Sequence, residues 1–79
     1  MDMERARELA VAEFAGRLGG GWNQAWELAG SRQDSVRTLD GVKTHIVFDF
    51  APRDMTDHGA LRTLSIAVDP QTGIADMLR

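Results

Sequence analysis

Three consecutive glycines, Gly19-Gly20-Gly21, divide this 79-residue chain into two parts with different hydrophobic periods. Before them, apolar residues recur at the spacing of a helix. After them, apolar and polar residues alternate as they do along a strand. The glycines readily take the left-handed conformation that ends a helix. A chain that changes period once, at such a stop, is confined to a helix followed by a sheet.

The first part reads as a helix over residues 3–18. Asp2 can cap its N-terminus. Ala6, Arg7, Glu8, Leu9, Ala10, Ala12 and Glu13 favour helix, and Glu13 with Arg17 makes a well-oriented i,i+4 pair. At about 100° per residue, Met3, Ala10, Val11, Phe14, Ala15 and Leu18 form one apolar stripe, and Leu9 falls on the opposite side beside Ala12 and Gly16.

The second part predicts strands over about 22–29, 35–39, 42–50, 61–68 and 74–78. In the first, Trp22, Gln24, Trp26 and Leu28 share one face. "GSRQDS" at 30–35 reads as a loop, and Asp40-Gly41 reads as a two-residue hairpin turn. Thr44, Ile46, Phe48 and Phe50 share a face, as do Leu64, Ile66 and Val68. "APRDMTDHGA" at 51–60 is a polar loop, and "DPQTG" at 69–73 is a tight turn. The expectation is a single α+β domain over 1–79, with one N-terminal helix packed on one face of a four- or five-stranded antiparallel sheet.

The closing stretch, "LSIAVDPQTGIADML", has a strand ending in Val-Asp, a turn with Thr-Gly and a short last strand. Following the Ala-rich helix "ARELAVAEFAGRL" and the aromatic segment "WNQAWELAG", it resembles PepSY-type modules. It is also similar to small immunity proteins of the nuclear-transport-factor-2-like (cystatin-like) fold. The resemblance implies a small non-catalytic binding or inhibitory module. It supplies no catalytic motif to carry onto residues of this chain.

The residues themselves offer little chemistry. Asp49, Asp54, Asp57 and His58, with His45 leading in, could suggest a metal loop, but they match no known ligand spacing. His45 and Asp49 share a strand face at a separation of about 13 Å, too far to act as an acid–base pair. No serine sits in a nucleophile motif. "LGGGWN" runs from helix to strand, the reverse of a phosphate-binding loop. No catalytic residue, cofactor or metal is therefore expected.

Charge narrows the partners. The net charge of −3 and the lack of any run of basic residues argue against nucleic acid. No segment has the roughly 20 apolar residues of a membrane span. The acidic N-terminal segment, with Asp2, Glu4, Glu8 and Glu13, lacks the basic start of a secretion signal, so a cytoplasmic protein is expected. A chain this short, without cysteine, has only a small core to hold it, and partner subunits often supplement such cores.

The outer sheet face is expected to carry Ala25, His45, Val47, Thr63, Ser65 and Ala67, small or mildly apolar where a solvated face is usually charged. That face is the candidate interaction surface. The expected function is a small binding module, inhibitory or immunity-like, that self-associates as a homodimer or binds another protein. The alternatives are a small-molecule binder, with a pocket near Trp22, Trp26 and Phe48, and a minimal enzyme using His45 or His58.

Overall fold

The computed structural model describes residues 1–53 and 63–78. An N-terminal helix lies on a four-stranded antiparallel sheet, the α+β arrangement expected. The order is α1 (Met3–Leu18), α2 (Trp22–Ala25), β1 (Trp26–Thr38), β2 (Gly41–Pro52), β3 (Leu64–Val68) and β4 (Ala75–Leu78). The strands form a simple meander, β1-β2-β3-β4. No helix among the described residues is long and apolar enough to cross a membrane.

Helix α1 begins where the Asp2 carboxylate accepts the Arg5 backbone N–H at 2.7 Å. It ends at Gly19, whose φ of +95° is open to glycine and costly for other residues. Its buried face is Ala6, Ala10 and Phe14, spaced i,i+4. The two alanines let the helix approach the sheet closely, and Phe14 fills the space beyond them. Val11 and Leu9 flank this stripe on opposite sides and pack against the core. Leu9, expected on the far side, instead reaches the β3–β4 turn near Gly73. The stripe is centred on Ala6 and Ala10, which brings Leu9 to its margin. Met3 and Leu18, expected in the stripe, are exposed at the two ends of the helix.

The segment after the glycines differs from expectation. Trp22–Ala25 is one helical turn, in which the Trp26 N–H bonds the Trp22 carbonyl. An i,i+4 pair of apolar residues fits either period, so the two tryptophans could not decide between helix and strand. Arg53 holds this turn to the end of β2. Its backbone N–H donates to the Ala25 carbonyl at 2.8 Å, and its Nε donates to the Asn23 carbonyl at 2.6 Å.

Residues 30–35, expected as a loop, are strand. β1 runs unbroken except for a bulge between Leu28 and Gly30, and pairs with β2 from Trp26–Pro52 to Thr38–Gly41. The expected strands 22–29 and 35–39 are thus parts of one strand. The turn also sits one residue earlier than expected, with Leu39 and Asp40 at its tip. Gly41 has φ +113°, and no described non-glycine residue has positive φ. A two-residue turn with positive φ at both central positions would strain Leu39, so the glycine closes the turn instead. The Thr38 hydroxyl secures it, donating to the Gly41 carbonyl at 2.8 Å and accepting the Asp40 N–H at 3.2 Å.

The core lies between α1 and one sheet face. Ile46, Phe48 and Phe50 of β2 and Ile66 and Val68 of β3 meet Ala6, Ala10 and Phe14 there. The helix packs mainly over β3 and β4. β2 pairs with β3 only from Ile46 to Phe50, so the β1–β2 hairpin extends well past the rest of the sheet.

Candidate interaction surface

Strand pairing places His45, Val47 and Asp49 on the sheet face away from the helix. Ala67 lies opposite Val47, and Ser65 lies opposite Asp49. Four of the expected surface residues, His45, Val47, Ser65 and Ala67, are thus brought together. Ala25 is not, because it belongs to the helical turn α2. Thr63 is exposed just ahead of β3.

The middle of this face is closed. Val47 is 0% exposed, Ala67 4% and His45 7%. A side chain with no accessible surface cannot touch a partner, so Val47 acts within the fold. His45 Nδ1 lies 3.1 Å from the Lys43 carbonyl. A carbonyl only accepts, so Nδ1 is the donor in this contact. Asp49 accepts the Ser65 hydroxyl at 2.6 Å and lies 3.6 Å from Arg32 Nη2. Arg32 Nη1 also reaches Asp34 at 3.5 Å. A polar chain therefore runs Asp34–Arg32–Asp49–Ser65 across three strands. Asp54, Asp57 and His58 of the suggested metal loop lie outside the described residues. Among the described residues no three His, Asp or Glu side chains converge as metal ligands.

The pocket kept as an alternative near Trp22, Trp26 and Phe48 is differently built. Trp22 and Trp26 make T-shaped contacts with Phe14, with centroids 5.3 and 5.7 Å away. Phe14 stacks on Phe50 at 4.0 Å, and Trp22 meets Phe50 edge-on at 5.6 Å. The indoles are thus walls of the core. Phe48 instead floors an open depression of about 470 Å³, beside Leu28, Met3 and Arg7, that neither tryptophan lines.

A second open groove, of about 390 Å³, lies on the outer face between the projecting hairpin and the β3–β4 turn. Its lining includes Val36, Lys43, His45, Ala67, Asp69 and Ile74. Asp69 organises the turn. Its carboxylate accepts the Gln71 N–H at 2.8 Å, and its carbonyl accepts the Gly73 N–H at 2.8 Å. The Gln71 hydrogen bond is the main cause that holds the Asp69 carboxyl below its ordinary 3.8. The Thr72 N–H and the nearby His45 and Lys43 act in the same direction, and burial opposes them. A carboxyl depressed in the folded state stabilises above its unfolded value and loses that contribution as pH falls through the folded one. Asp69→Asn should therefore be less stable than the parent at neutral pH. The gap in thermal midpoint should close as pH falls below the ordinary carboxyl value. A gap that stays constant down to strong acid would contradict this.

What the sequence did not locate is which sheet edge is open: among the described residues it is that of β1. From Ala29 to Ser35 every residue is exposed. No other described strand pairs with that side of β1, because β2 occupies only its inner side. The opposite edge, β4, covers only Ala75–Leu78, and Asp76 there is tied to Arg17 of α1 at 2.9 Å. The signal was present: an arm as long as 42–50 needs a partner arm reaching back past residue 35. Comparison with protein-family models, curated proteins and solved structures finds no match to this chain.

Proposed function

We propose that this chain is a small non-catalytic interaction module that self-associates, with two copies joined along β1. The open edge of β1 carries the reading. Unpaired N–H and C=O groups along an exposed strand are a template for another strand. Natural edges are commonly shielded by brevity, covering elements, bulges or charged side chains; among the described residues β1 has a bulge between Leu28 and Gly30 and both signs of charge, Arg32 and Asp34, on its exposed stretch. Beyond that bulge the strand is regular to Thr38. A two-fold dimer is the commonest closed solution for a soluble chain, and it gives a short domain a larger sheet. The proposal keeps the cytoplasmic setting expected from the sequence. The inhibitory role implied by the resemblance to immunity proteins would use this same edge on a different partner.

A strand-to-strand contact of this length buries less than the roughly 1,200–2,000 Å² of a standard stable interface, so association in the micromolar range is expected. Sedimentation equilibrium from about 1 μM to about 1 mM should show the mass rising from one chain to two. A mass of one chain throughout would overturn the proposal.

A further inference from the structure

We infer that the two copies pair β1 with β1 in one register, centred on Gln33, with reciprocal Arg32–Asp34 contacts across the two-fold axis. This rests on the self-association proposed above and specifies its geometry. Antiparallel pairing of identical edges places the axis perpendicular to the sheet. Directly opposite residues must then share a face, so the axis passes midway between one residue and its own counterpart in the second copy. Only a few centres fit within the exposed stretch.

Charge selects among them. Arg32 and Asp34 point to the outer face, as their β2 partners Val47 and His45 do. Their side chains are 45% and 55% exposed, so both are open to a partner. A centre at Arg32 sets two guanidinium groups against each other, and a centre at Asp34 does the same with two carboxylates. A centre at Ser31 or Ser35 leaves both charges opposite uncharged residues. A centre at Gln33 places Arg32 opposite the second copy's Asp34, and Asp34 opposite its Arg32. Ser31 then meets Ser35, and Gly30 meets Val36. Like charges directly opposite disfavour a register and opposite charges favour it. The paired stretch, Gly30–Val36, lies wholly beyond the bulge. The helix-side face presents Ser31, Gln33 and Ser35, and α1 sits over β3 and β4, so the second copy's helix has room.

The chain has no cysteine, so single introduced thiols report the register cleanly. Under mild oxidation by copper phenanthroline, Gln33→Cys should cross-link to a covalent dimer. Ser31→Cys alone and Ser35→Cys alone should not, because their own thiols would lie about 13 Å apart, beyond disulfide reach. An equimolar mixture of those two variants should cross-link. Arg32→Asp should weaken the dimer at least tenfold, and the double variant with Asp34→Arg should restore it, since each charge again faces its opposite. A dimer by sedimentation that cross-links through Ser31→Cys or Ser35→Cys alone, or not at all through Gln33→Cys, would overturn the register and leave self-association standing. A wild-type chain that sediments as a monomer throughout would overturn both.

Discussion

Phe14→Ala is expected to cost about 3–5 kcal/mol, enough to leave much of the chain unfolded at room temperature. Phe14 has no exposed surface. Its ring stacks on Phe50, with centroids 4.0 Å apart and planes within 6° of parallel. Trp22 and Trp26 close around it in T-shaped contacts. Removing the ring therefore deletes a contact shared by α1, α2, β1 and β2, and leaves a cavity among three large aromatics. Against a typical total of about 5–15 kcal/mol, the low end of which suits a chain this short, little stability would remain. Urea denaturation followed by tryptophan fluorescence measures the loss, since both indoles border the cavity. An unchanged midpoint would mean that the helix docks by another face.

Val47→Lys should be nearly as damaging, with a loss of about 3–5 kcal/mol. Val47 lies on the sheet face away from the helix, yet it is fully buried, with Arg32 and Ala67 as its strand neighbours. An ammonium group at this position must lose its hydration or force the face open. Arg32, directly opposite on β1, adds repulsion. Val47→Thr keeps the shape and adds one hydroxyl, so it should fall between wild type and the lysine variant. Thermal midpoints of the three decide the matter. A lysine variant as stable as wild type would show that this face is open to solvent, and would return Val47 to the candidate contact surface.

The helix, the sheet and the face they share were legible because the change of hydrophobic period at Gly19 is sharp. Ile46, Phe48, Phe50, Ile66 and Val68 alternate without interruption, which fixes the buried side of β2 and β3. Legibility failed where local residue preference and long-range pairing disagree. Gly30, Ser31, Asp34 and Ser35 are turn formers, and read alone they break β1. The pairing demanded by β2 overrides them. Trp22 and Trp26 fit both periods, and only the docking of both indoles against Phe14 selects the helical turn. The closure of the outer face at Val47 was out of reach, because alternation assigns a residue to a side but does not say what lies over it. The open edge was not placed on β1 for the same reason that the strand was broken: a segment read as a loop offers no edge.

Hydrogen–deuterium exchange of the wild-type chain at two concentrations tests the account most directly. Between a dilute sample and one well above the dissociation constant, the outward-pointing amides from Gly30 to Val36 should slow markedly. Those of β4, from Ala75 to Leu78, should keep their rates. Equal rates at both concentrations along β1, or protection that appears at β4 instead, would contradict the claim that two copies join at the β1 edge.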